Sequence, residues 1–208
     1  MVTIAPHPLL DAVCFVARSK LSAGELACST ALEAALAFDA TVVLPSDDVR
    51  SAVRTLLRHG GYKPSGRGKP ASEYLAGAYT EGRFPRINAL VDVCNAVSLH
   101  SGLPISLLDY ELLQGNLTIS VLPEGSSYIF NPSGQTIDAS GLLALSDSVG
   151  PAGTPVKDAQ RTKTHTGTTA TLTVIWGSTA LPGRAAAAAA RYRELLGSVA
   201  DITVEPNL

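Results

Sequence analysis

Apolar residues along this chain first recur at helical spacing and, from about residue 115, at the alternating spacing of strands. The run LDAVCFVAR at 10–18 is short and rich in β-branched and aromatic types, which predicts a buried strand near the start. In 24–39 the positions Leu26, Ala27, Thr30, Ala31, Ala34 and Phe38 recur at three and four, with Glu25, Glu33 and Asp39 off that stripe, so a helix is expected. A second helix opens at Ser46 as cap, with Asp47 and Asp48 in its first turn, and Gly60-Gly61 closes it. Within it Val49, Val53, Leu56 and Leu57 face inward, while Arg50, Arg54 and Arg58 line one solvent-facing edge. Two prolines and two glycines among residues 63–70 mark a loop, and ASEYLAGAY beyond it resumes as helix.

Residues 87–100 carry the clearest helical period, through Leu90, Val91, Cys94, Val97 and Ser98, and stop at Gly102 with Pro104 beyond. Strands are expected at 117–122, 127–130 and 169–176, the last being the strongest. A helix follows Pro182-Gly183 and ends at Gly197, and DITVE finishes as a strand. Runs of helices beside runs of strands indicate an α+β domain of mixed or antiparallel sheet with packed helices. The 87–100 helix is expected to pack Leu90, Val91, Cys94 and Val97 on one sheet containing both 117–122 and 169–176. No internal repeat is visible.

At 208 residues, 46% hydrophobic and 16% charged, the composition is that of one globular domain and excludes disorder. Cys14, Cys28 and Cys94 form no CxxC pair, so neither a disulfide framework nor a zinc site is supported, and no metal or other cofactor is expected. The stretch AVCFVA at 12–17 is too short for a signal-peptide core or a membrane span, so a cytoplasmic, membrane-free protein is expected. A net charge of −2 excludes a general nucleic-acid coat, but the charge is segregated. From Arg50 to Arg86 there are eight basic residues, Lys63, Arg67 and Lys69 among them, against Glu73 and Glu81. From Ile87 to Val156 there is no Lys or Arg, while Asp92, Asp109, Glu111, Glu124, Asp138 and Asp147 are all acidic. Only the first region can attract a polyanion.

The motifs GxSxG, GxxxxGK[ST], HExxH, GxGxxG and the EF-hand loop are absent. His7 lies in a Pro-flanked tail, and His59 and His100 close helices, where a partial positive charge is favourable. His165 differs: it stands in RTKTHTGTT, a stretch of hydroxyls with two cations before the strongest strand. Such a loop suits a site and equally a solvated turn. Asp92 and Asn95 share a helix face, a position where an amide can serve a ligand with donor and acceptor or simply meet solvent.

The stretch FPRINALVDVCNAVSLHSGLPISLLDYELLQGNLTISVL resembles the central segment of the B3/B4 domain of the phenylalanyl-tRNA synthetase beta subunit. The matching positions are Arg86, Asn88, Val91-Asp92, Asn95, Gly102, Pro104, Asp109 and Gly115. Ser72-Glu73-Tyr74-Leu75 and Arg161-Thr162 extend the resemblance to freestanding members of the family, over about residues 50–177.

The resemblance implies an editing site that hydrolyses the ester of a mischarged tRNA. It places Asn95 in a pocket, with Thr162 at the rear wall. Ser106 replaces a histidine of the synthetase pocket and Thr162 stands where that pocket has a glutamate, so tyrosine is not assigned as the substrate. The expectation is a trans-acting aminoacyl-tRNA deacylase, substrate-assisted with an oriented water. Asn95, Thr162 and His165 are the catalytic candidates, and Ser106, Arg161 and Thr164 the substrate-binding ones. Arg50, Arg54, Arg58, Lys63, Arg67 and Lys69 would hold the tRNA. Two alternatives stand beside it: a module that binds aminoacyl-tRNA or an amino acid without hydrolysis, and a structural protein with a degenerate pocket. The expected partner is an aminoacylated tRNA, and a homo-oligomer is compatible with all three.

Overall fold

A computed structural model describes residues 2–37, 44–200 and 202–205. Its centre is an antiparallel sheet built on the two runs with the densest β-branched content. β2 (Leu10–Ser19) pairs with β9 (Ala170–Ser178) from Leu10↔Ser178 to Arg18↔Ala170. β3 (Ile105–Asp109) flanks β9 and β10 (Ile202–Glu205) flanks β2, giving the order β10-β2-β9-β3. Every residue of β9 is buried, which explains why its apolar run is continuous.

One face of this sheet is covered by α4 (Ala89–Ser101) and α5 (Arg184–Val199). There the Phe15 and Tyr192 rings meet edge to face at 5.4 Å, and both are fully buried. Burial of such a side chain is worth roughly 1.5–3 kcal/mol by area.

A second sheet has the order β1-β4-β7-β8, from β1 (Val2–Ile4), β4 (Leu117–Val121), β7 (Leu143–Ser146) and β8 (Pro151–Gly153). β1 and β4 pair in parallel and the rest antiparallel. β8 lies against β3, so closely that a Cβ on Gly153 would stand 3.0 Å from Leu108 Cδ1 and 3.2 Å from Ser106 Cβ. A hairpin of β5 (Ser127–Ile129) and β6 (Thr136–Asp138) forms a third, two-stranded sheet.

The α+β class is as expected from the sequence, but 117–122 and 169–176 belong to different sheets. The 87–100 helix packs through β3 onto the sheet of β9, not that of β4. Leu90, Cys94 and Val97 are buried as expected.

The helix expected over 24–39 is reduced to α1 (Thr30–Ala35), capped by Ser29. Residues 23 and 24 are tied instead to a distant loop, Ala23 N donating to Thr168 O and Gly24 N to Thr166 O. Those two backbone bonds hold the segment away from helix despite its periodic side chains. Phe38 and Asp39 lie outside the described residues.

α2 (Asp47–Arg58) and α3 (Ala71–Thr80) follow the expected bounds, and Val49, Val53, Leu56 and Leu57 are buried. The Ser46 side chain makes no capping hydrogen bond, which leaves Asp47 and Asp48 to favour the helix start. α5 runs through Gly197 to Val199, two residues past its expected end.

Candidate functional site

The residues that carry the family-like pattern are largely spent on the fold. Asn88 caps α4 by accepting from Val91 N at 3.1 Å. Asp92, nearly fully buried, accepts from Ile87 N at 2.9 Å and from Arg86 Nε at 2.8 Å. Gly102 ends α4 at φ 71°, where a Cβ would stand 2.6 Å from Pro45 and 2.8 Å from Val49. Asp109 accepts from Glu111 N at 2.9 Å and from the Thr168 hydroxyl at 2.6 Å.

Three of the six acids of the Lys- and Arg-free segment pair with arginines from outside it. Asp92 pairs with Arg86, Glu111 with Arg18 and Asp147 with Arg161. Charge segregation in sequence is thus partly cancelled in space.

The substrate-side candidates gather around β3 and β8. The Ser106 hydroxyl, fully buried, donates to Thr154 O at 3.1 Å and accepts from Trp176 Nε1 at 3.0 Å. Thr162, also fully buried, closes a single 3-10 turn (Gln160–Thr162) and donates to Ala152 O at 2.8 Å. Ser106 and Thr162 therefore grip the same 152–154 stretch.

Arg161 forms a two-bond pair with Asp147, 2.9 and 2.7 Å, and donates to the carbonyls of Gly150 and Pro151. Burial pushes the Asp147 carboxyl up, but Arg161 and the amides of Gln114 and Val149 outweigh it and hold it below its ordinary value.

His165 is 59% exposed, with Nε2 3.3 Å from Asp109 Oδ2 and Nδ1 accepting from Gly167 N at 3.1 Å. The Gly167 bond occupies Nδ1, while Nε2 stands at the edge of a ring that is mostly exposed. Thr164 is half-buried, and among the described residues it makes no hydrogen bond. Asn95, half-buried on α4, likewise has an uncommitted amide among the described residues. Its neighbour Cys94 reaches Ile105 O of β3 at 3.9 Å, and burial, with the nearby charge of Asp158, pushes that thiol up to about 12.

Asp158 is the polar group that sequence reasoning missed. Its carboxylate accepts from Leu107 N at 3.3 Å and Thr154 N at 3.2 Å, beside the Ser106 hydroxyl. Burial pushes its carboxyl up to about 6, against the opposing pull of Ser106, the two amides and Lys163. Thr154 is four positions upstream, but Leu107 and Ser106 lie about fifty upstream, so no local pattern could have marked this environment. An acid is therefore present beside Ser106, four residues before Thr162.

The basic candidates divide into committed and uncommitted groups. Arg50 pairs with Asp47 at 2.9 Å on the surface, and Arg54 holds Glu73 through two bonds of 2.6 Å. Arg58, Lys63 and Arg67 are exposed and Lys69 half-buried, and among the described residues none meets a carboxylate. Lys69 Nζ sits 5.3 Å over the Tyr74 ring.

Lys63 and Arg67 line a cavity of about 890 Å³ between the 61–68 loop and the β5–β6 hairpin, with Tyr62, Phe130, Gln135 and Lys157. Asn95, Thr162 and His165 do not line it. Among the described residues no group of three or more His, Cys, Asp or Glu is placed to hold a metal. No helix among them is long and apolar enough to cross a membrane.

Among curated proteins none matches the chain. A solved structure that is similar is an N-terminal fragment of the phenylalanyl-tRNA synthetase beta subunit from Pyrococcus horikoshii, at 11% identity and a TM-score of 0.48. The match covers 98% of this chain and 50% of that one, so the chain spans half the length of the fragment. The family model for the B3/4 domain matches residues 67–191, which is more than half of the sequence. The chain belongs to the B3/4 domain family.

Proposed function

We propose that the protein is a trans-acting aminoacyl-tRNA deacylase that hydrolyses the ester of a mischarged tRNA. The observation that carries this reading is the uncommitted Asn95 amide on the helix of a B3/4 domain, beside an edge strand that holds Asp158. An activated ester needs an oriented water and donors for the developing oxyanion, not a covalent nucleophile. An amide that offers both carbonyl and N–H can orient the substrate's amino group or that water. The base is supplied by the substrate's own amino or ribose hydroxyl group. Arg58, Lys63, Arg67 and Lys69 supply the charge that holds the tRNA.

The commitment of the Ser106 and Thr162 hydroxyls to backbone carbonyls favours a second reading, a module that binds aminoacyl-tRNA without hydrolysing it. Incubation with a panel of aminoacylated tRNAs separates the two. The deacylase reading expects accelerated loss of one class of aminoacyl ester, and the binding reading expects protection of the ester from spontaneous hydrolysis.

A further inference from the structure

The groove between the 61–68 loop and the β5–β6 hairpin is not lined by Asn95 or Asp158, and its size of about 890 Å³ is at the upper end of what a small-ligand site needs. Its walls are fixed by contacts. Tyr62 and Tyr74 donate to the carbonyls of Gly68 and Gly66 at 3.2 and 3.0 Å, pinning one side. A Cβ on Gly68 would stand 2.4 Å from the Tyr62 oxygen, so that approach needs a glycine. On the other side Lys163 Nζ donates to Phe130 O at 2.6 Å, and Lys157 Nζ lies 4.0 Å over the Phe130 ring.

Three cations that hold no carboxylate among the described residues meet at this groove. Elsewhere Arg18, Arg54, Arg86 and Arg161 each hold a carboxylate, whereas among the described residues Lys63, Arg67 and Lys157 hold none. The lining has one acid, Asp138, whose Oδ1 accepts from the amide and hydroxyl of Ser140 at 3.0 and 2.7 Å. Burial, with the charges of Arg67 and Lys163, lowers the pKa of Lys157. An anion entering the groove relieves that repulsion.

We propose that this groove holds the sugar–phosphate backbone of an unpaired RNA strand, with Lys63, Arg67 and Lys157 on its phosphates. This rests on the tRNA reading above and names the part of the tRNA that the groove takes. The cations stand on both walls of a concave groove, so phosphates must enter between them. A duplex carries its phosphates on a convex surface and meets only the rim, while a single strand can lie along the floor. The Gln135 amide and Thr136 hydroxyl at the hairpin give such a strand polar partners.

The test is fluorescence anisotropy on the whole chain with a short unstructured RNA strand, a blunt RNA hairpin of equal charge, and ATP as competitor. Strand binding is expected to exceed hairpin binding. The double variant Arg67→Gln/Lys157→Gln should weaken it by about tenfold or more and reduce the salt slope of log K by roughly 1.4, two phosphates at about 0.7 each. Equal binding of both RNAs, an unchanged affinity in the double variant, or displacement by equimolar ATP overturns the proposal. The tRNA deacylation panel keeps the two readings apart. Strand binding without hydrolysis of any ester retains the groove and removes the deacylase, while hydrolysis indifferent to the double variant does the reverse.

Discussion

Arg54 on α2 and Glu73 on α3 meet through two parallel hydrogen bonds, Nε to Oε1 and a terminal nitrogen to Oε2, each 2.6 Å. The pair is the polar fastening between those helices, and it takes one arginine out of a row that the sequence presents as equivalent. Glu73 keeps only 13% of its side chain exposed and Arg54 32%. Arg54→Ala should therefore lower stability by about 1–2 kcal/mol, more than a surface pair and less than a fully buried one. Arg58→Ala should leave the melting temperature unchanged and reduce the salt dependence of tRNA binding. Equal effects of the two substitutions on tRNA affinity, with no difference in melting, would contradict this division.

A second ion pair should matter more. Asp147 has a fully buried side chain, and removal of Arg161 leaves its charge without a cation. Arg161→Ala is expected to cost about 3–5 kcal/mol in denaturant unfolding. Arg161→Lys should recover only part of it, because an ammonium cannot make the same two-bond fork. Loss of tRNA or amino-acid affinity at unchanged stability would instead identify Arg161 as a substrate contact.

Asp158 and Asp147 predict opposite pH behaviour. The Asp158 carboxyl is pushed up to about 6, above its unfolded value of about 4, so the folded state holds this proton more tightly. Its contribution to stability is full below about pH 4 and is lost as the pH rises through 6, by up to about 3 kcal/mol. Asp147, held low, contributes stability that is lost as the pH falls through the acid range. Asp158→Asn should thus flatten the decline of unfolding free energy between pH 4 and 6, whatever the substitution does to the absolute value. A wild-type profile that rises over this window with the same slope as the variant would show that Asp158 is ionised in the fold throughout.

Local signals made much of this architecture legible. The helical period through Leu90, Cys94 and Val97, Gly102 after it, and the β-branched run of 169–176 each announce their element within a few residues. What stayed hidden depends on partners far along the chain. The parallel pairing of Val2 with Leu117 splits the expected single sheet in two. The bonds from Ala23 and Gly24 to the 166–168 loop override a helical period. At the candidate site the same limit applies. The pattern around Arg86 to Gly115 marks the family, yet its residues mostly cap, turn and pair. Asp158 draws its environment from Leu107 and Ser106, which no spacing rule connects to it.

Asn95 is where a fold residue and a functional residue can be told apart most cleanly. Its neighbours Asp92 and Ser98 are consumed by Arg86 and by Leu103 O, while its own amide has no partner among the described residues. Truncating a half-buried, unpaired amide on a helix costs little, and alanine has the better helix propensity. Asn95→Ala should leave the melting temperature within a few degrees of wild type. Deacylation of the preferred charged tRNA should fall by more than tenfold, about 1.4 kcal/mol or more of transition-state stabilisation. Asn95→Asp keeps the carbonyl and loses the N–H donors, so recovery of activity there assigns Asn95 to orienting an amino group by acceptance. Activity lost in both variants assigns it to donation toward the developing oxyanion. Full activity in Asn95→Ala removes it from the site.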